Sequence, residues 1–109
     1  MRLLSPDVTT AFLDHEPLPP EEVVDGSPTA AVLALDTVGG CEVGLWEMSE
    51  GTTRDTEVDE VFVVLSGRGH VTFEDGERID LAPGVAVRLA AGERTVWTVT
   101  ERVRKFWVA

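Results

Sequence analysis

Few residues in this chain can do chemistry at neutral pH, and their placement narrows what that chemistry could be. There are two histidines, His15 and His70, one cysteine, Cys41, and an acidic cluster at Glu57, Asp59 and Glu60. Glu60 opens the apolar run Val61-Phe62-Val63-Val64-Leu65. If its side chain faces inward, strand alternation brings Phe62 and Val64 to the same face. A carboxylate in that company is disfavoured in its charged form unless a cation pairs with it. Lys105, between Val103 and Trp107, is one candidate cation and Arg54 another, whose guanidinium suits a carboxylate or ureido group by bidentate bonding. The alternatives are a surface acid at the strand start, a snorkelling edge-strand lysine and a solvated turn arginine. Thr95, Trp97 and Val99 share a face of a later strand, and Trp46 and Trp97 offer either pocket walls or core filling.

Other chemistries find less support. Glu57, Asp59, Glu60 and His70 could together hold manganese, but alternation places Glu57 and Asp59 opposite Glu60 unless a bulge intervenes, and a solvated acidic turn accounts for them equally. His70, next to Val71 and sharing a face with Thr72 and Glu74, reads as part of a polar outer face. Cys41 lies beside Gly40 in a turn with no histidine or basic neighbour in sequence, so a nucleophile role finds no support. Gly67-Arg68-Gly69 lacks the helix start that would cradle a phosphate, and no serine elbow occurs.

The elements that must position these residues are short. From residue 30 onward, segments rich in Val, Thr, Trp and Phe alternate with Gly, Pro, Asp and Glu, a pattern of strands and turns without helical spacing. Eight strands are expected, at 31–37, 42–48, 59–65, 69–74, 77–82, 85–90, 94–100 and 102–108. Reversals are expected at Gly39-Gly40, Ser66-Gly67, Asp75-Gly76, Pro83-Gly84 and Ala91-Gly92. With no room for crossover helices, this is an all-β jelly-roll barrel or sandwich, residues 29–109. Residues 1–28 hold five of the six prolines and read as an extended N-terminal arm. Ser5-Pro6-Asp7 could begin a helical turn through Phe12, and Leu3, Leu4, Phe12 and Leu13 suggest that the arm packs against the barrel. The run Val61 to Leu65 is apolar on both faces, so both need cover, and a homodimer is expected to supply it, with the arm as the alternative.

Composition closes off whole classes. At 109 residues and 11.8 kDa the chain supports one core. A domain of this size buries only about 65% of its unfolded surface, which makes association a route to further burial. A formal charge of −11 repels phosphate backbones and anionic lipid, so no nucleic-acid or membrane partner is expected. The single cysteine forms no internal disulfide, no leader pattern opens the chain, and a cytoplasmic location is the expectation.

Between Gly44 and Val108 the chain resembles the cupin superfamily. The carriers are Gly44-Leu45-Trp46-Glu47, Asp59-Glu60-Val61-Phe62-Val63-Val64-Leu65-Ser66-Gly67, Leu81-Ala82-Pro83-Gly84 with Ala91-Gly92, and Thr95-Val96-Trp97 through Arg104-Lys105-Phe106. Within the superfamily it is similar to small cupins of the (S)-ureidoglycine aminohydrolase type. The resemblance implies a metal site of three histidines and a glutamate. With Glu60 as that glutamate, the histidine positions hold Arg54, Thr56 and, at about the third, Thr95. Two histidines in the whole chain cannot make the set, so no metal and no other cofactor is expected. The resulting expectation is a metal-free cupin that binds a small polar metabolite, with Glu60, Phe62, Thr95, Trp97, Lys105, Arg54 and Trp46 as ligand-binding residues. The alternative is a hydrolase or isomerase acting on a ureido, amino or carboxylated small molecule.

Overall fold

The β-branched and aromatic segments pair as antiparallel strands in the computed structural model, which describes residues 2–109. Chain order is β1 (Glu16–Pro17), a 3-10 turn (Pro20–Glu22), β2 (Val23–Asp25), β3 (Thr29–Val38), β4 (Cys41–Met48), β5 (Gly51–Thr56), β6 (Glu60–Phe73), β7 (Arg78–Leu81), β8 (Ala86–Leu89) and β9 (Arg94–Val108). The strands run β1-β3-β4-β9-β5-β2 across the sheet, and β6 joins β9 to β7 and β8. The architecture is all-β, a curled half-barrel of antiparallel strands; the strand and turn pattern predicts the all-β class, and the cupin type is what the resemblance implies.

Four of the five expected reversals are turns. At Gly39-Gly40 both residues have positive φ, 54° and 87°, the left-handed conformation that a tight hairpin asks of its central pair. Ser66-Gly67 is different. The chain does not reverse there, and 59–65 and 69–74 are two halves of the single strand β6, whose register against β9 slips between Val64 and Gly69. Gly67 has φ 96°, and a Cβ there would strike the Arg102 carbonyl and Val103. Its role is a bulge that bends β6, so that its first half pairs with β8 and its second with β7. The expected strands 94–100 and 102–108 are likewise one strand, β9, which pairs with β4 through Val103–Val108 and with β5 through Arg94–Val99. Strand β5, absent from the sequence reading, is polar (Gly-Thr-Thr-Arg-Asp-Thr) and carries no apolar alternation to announce it.

One core fills the barrel, with Phe62, Val64, Val71, Trp97, Val103 and Trp107 among its members. A second, smaller cluster lies on the outer face, where Leu13, Val8 and Ala11 of the arm cover Ala31, Leu45, Leu65 and Phe106. Burying Leu13 there stabilises the arm's attachment by about 1.5–3 kcal/mol. The arm is also tied by polar contacts: His15 Nε2 lies 2.7 Å from Glu47 Oε1, Arg104 Nε donates to Glu47 Oε2 at 2.7 Å, and an Arg104 guanidinium nitrogen donates to the Val8 carbonyl at 2.9 Å. Contrary to expectation, Phe12 and Leu3 do not pack, being 85% and 66% exposed, and the only helical feature near Pro6 is a single turn closed on the Asp7 carbonyl.

The arm covers the Leu65 end of the two-sided apolar run and leaves Val61 about half exposed. Beside Val61 across β9 and β4 stand Val108 and Val43, and the next row holds Val63, Phe106, Leu45 and Leu33.

Candidate functional site

One end of the barrel is an open cavity of about 420 Å³. A glycine makes room for one wall: at Gly44 of β4 any Cβ would overlap the Trp107 ring, so its absence lets that indole lie against the strand. Residues 46 and 48 of β4, 60 and 62 of β6, and 95, 97 and 105 of β9 alternate onto the inner face, which explains why Trp46, Glu60, Trp97 and Lys105 converge there.

At the convergence Lys105 Nζ donates to Glu60 Oε2 at 2.7 Å, with side-chain exposures of only 6% and 13%. The ammonium also stands 4.5 Å from the Phe62 ring centroid, 4.7 Å from Trp46 and 4.9 Å from Trp97. Trp97 in turn packs on Trp46 and Phe62 at 5.3 and 5.6 Å. Three aromatic rings and one carboxylate replace the water that a buried ammonium gives up. Lys105 therefore lies on the inward face of β9 and is not a snorkelling edge-strand lysine.

A second carboxylate enters from the segment after β5. Glu57 is buried, and its Oε2 accepts hydrogen bonds from Thr95 Oγ1 at 2.6 Å and Trp97 Nε1 at 3.0 Å. Strict alternation predicts Glu57 opposite Glu60, and that expectation fails because residues 57–59 are not a strand. The Glu57 backbone is instead bonded on both sides to the turn at Gly92-Glu93, which rotates its side chain into the cavity. Asp59 does face outward, accepting from Ala91 N and Arg88 on the surface. Asp55, at the mouth, is exposed on one side, yet the surrounding walls desolvate its carboxyl and the neighbouring Glu57 repels its charge. Its pKa is pushed up to about 6.

Of the residues singled out from sequence, the cavity brings together Glu60, Trp46, Trp97 and Lys105, with Phe62 behind the ammonium and Thr95 bonded to Glu57. Arg54 reaches only the rim of this cavity. It pairs in register with Val96 on the outer side of β5, is exposed at the rim, and among the described residues has no carboxylate within ion-pair distance, so it is not the cation of Glu60. His70 lies opposite Thr98 on the outer face and Cys41 is exposed at a turn. Sequence reasoning missed Asp55 and the inward turn of Glu57, and only the unusual density of acids from 55 to 60 hinted at either.

The metal that the cupin fold implies does not fit this donor set. Glu60 is engaged by an ammonium, the corresponding positions at Arg54, Thr56 and Thr95 bear no imidazole, and among the described residues no three His, Cys, Asp or Glu side chains gather closely enough to hold an ion.

A curled antiparallel half-barrel with a cavity at one end is the architecture expected of a cupin. Residues 35–107 match the family model of the EutQ-like cupin domain, Cupin_3, and the chain belongs to that family. Among solved structures, a protein of unknown function of the DUF861 family from Pseudomonas syringae pv. tomato has a TM-score of 0.77 at 25% identity, over 91% of this chain and 44% of that one. The present chain thus spans less than half the length of that relative. The EutQ protein of Clostridium difficile has a TM-score of 0.65 at 21% identity, over 74% and 67% of the two chains. A DUF861 family protein from Thermotoga maritima is 31% identical over 58% of this chain and 73% of its own, with a TM-score of 0.54. No curated protein matches. The family is therefore the EutQ-like cupin domain, and nothing in these matches points to the ureidoglycine aminohydrolase type that the motifs resemble.

Proposed function

We propose that this cupin binds a small polar metabolite in its barrel without a resident metal. The observation that supports this best is the Lys105–Glu60 pair in the wall of an open cavity: a buried charge pair contributes little net stability, so an apolar core would serve the fold as well. The apolar indole walls and a few convergent polar groups are what a small-molecule site requires. Elemental analysis of dialysed protein tests the metal-free part. A transition-metal content far below one equivalent per chain is expected, and about one equivalent of manganese, iron, zinc or nickel overturns it.

A second reading, an enzyme acting on a ureido, amino or carboxylated compound, draws on Asp55 and Glu57. A carboxyl that exchanges its proton near pH 6, next to a second carboxyl, suits general acid–base work. Turnover of such a compound that is lost in both Asp55→Asn and Glu57→Gln would favour it. As part of the main reading the protein is a homodimer acting in the cytoplasm. The outer rows around Val61 and Val108 favour self-association, and exposed, unpaired Cys41 suits a reducing compartment.

A further inference from the structure

Resting on that reading, we infer that the cavity selects an organic ammonium, with Glu57 as its principal partner and Asp55 as the outer one. The cavity wall presents five carboxylates, on Glu22, Glu42, Asp55, Glu57 and Glu60, against the two cations Arg54 and Lys105. Lys105 is committed to Glu60, and Arg54 stands exposed at the rim, paired in register with Val96.

Glu57 is the telling member. It is more than nine-tenths buried, it faces the cavity, and no cation among the described residues lies within ion-pair distance. Both of its side-chain hydrogen bonds come from neutral donors and both fall on Oε2, so Oε1 is the oxygen open to a ligand. A buried carboxylate with neutral donors only is costly, and a cation delivered by a ligand offsets that cost. Asp55 stands on the inner side of β5, opposite Thr95, so both carboxylates flank the way in.

The same walls already show their preference in miniature, because the one ammonium that the chain itself sends inward is held by a carboxylate and three aromatic faces. A carboxylate or phosphate ligand would meet the opposite field, with Glu57 and Asp55 repelling it and Lys105 occupied.

Three probes of similar size separate charge from shape: n-butylamine, butyramide and butyrate, titrated into the uniformly 15N-labelled protein at about pH 7.5, above the Asp55 value of about 6. The Trp97 indole N–H resonance reports occupancy beside Glu57. The cationic amine is expected to bind about ten-fold more tightly than the amide, and butyrate more weakly still, since a charge-assisted bond replaces a neutral one. Glu57→Gln should erase the preference while leaving the amide response in place. Should that variant not fold, Asp55→Asn at the exposed rim should diminish the preference in a folded protein. Equal or tighter binding of amide or butyrate overturns the ammonium inference and leaves the pocket reading standing. Silence from all three probes up to about 50 mM overturns both.

Discussion

Replacing Lys105 by methionine removes the ammonium, keeps most of the side-chain volume, and leaves the Glu60 carboxylate without its cation. An exposed pair would cost under about 1 kcal/mol to break, whereas a buried pair costs about 3–5 kcal/mol because the remaining charge is stranded. The side-chain exposures of 6% and 13% put this pair in the buried class, and the loss of three cation–π contacts at 4.5–4.9 Å pushes the cost towards the upper end. In a domain of this length each kcal/mol moves Tm by about 4 °C or more, so Lys105→Met should melt at least about 12 °C below the wild type. The decisive comparison is the double variant Lys105→Met with Glu60→Leu. With both charges gone and apolar volume restored, it should recover most of the loss and can exceed the wild type. Thermal and urea unfolding followed by tryptophan fluorescence read the result directly, since Trp46 and Trp97 surround the ammonium. If the single variant melts within about 3 °C of the wild type, the pair is solvated. If the double variant is as unstable as the single one, the loss comes from packing and the electrostatic argument is wrong.

Four further outcomes can be measured. Burial alone would push the Glu47 carboxyl up, but the hydrogen bonds and charges of His15 and Arg104 hold it below its ordinary value. Its contribution is therefore complete above its unfolded value of about 4.5 and lost as pH falls through the lower folded value, so Glu47→Gln should flatten the acid limb of a stability–pH profile and expose the arm near Leu13 to limited proteolysis. Asp55 runs the other way. With its folded pKa raised to about 6, ionisation opposes folding, and stability declines as pH rises from its model-compound value of 3.8 through 6. Over the upper part of that interval butylammonium affinity should rise as Asp55 ionises in the field of Glu57, Glu22 and Lys105, and Asp55→Asn should remove the rise. Sedimentation at micromolar concentration should give twice 11.8 kDa, with Val61→Glu reducing it to the single-chain mass; a wild-type monomer would refute the dimer and leave the Val61 end of the face open to solvent.

What the sequence discloses depends on whether a residue obeys strand alternation. Phe62, Thr95, Trp97 and Lys105 sit on regular strands, so period-two counting places them on a common face, and pairing Glu60 with Lys105 needs only the choice of which face is inner. Ser66-Gly67 carries the composition of a turn but serves as a bulge, because β9 continues alongside and its backbone fills the space a reversal would need. Local turn chemistry cannot tell these outcomes apart; the partner strand decides.

Glu57 shows the same limit at the site itself. Its side-chain direction follows from backbone bonds to Gly92 and Glu93, more than thirty residues away, and no local pattern encodes that rotation. The arm is a parallel case: His15 looks like an isolated histidine in a proline-rich stretch until Glu47 and Thr29 are brought to its two ring nitrogens. Both long-range arrangements involve a buried carboxylate, yet they differ in charge. Glu47 meets Arg104 and His15 and is neutralised within the fold, whereas Glu57 meets only a hydroxyl and an indole N–H and faces open space. Among the described residues, cations pair with the first carboxylate and none lies within ion-pair distance of the second, although Arg54 lies only three residues away on the adjoining strand. Arg54 at the rim leaves the cavity's negative charge uncompensated, and a carboxylate kept buried at a cost to stability supports, beside the Lys105–Glu60 pair, the proposed binding role of this barrel.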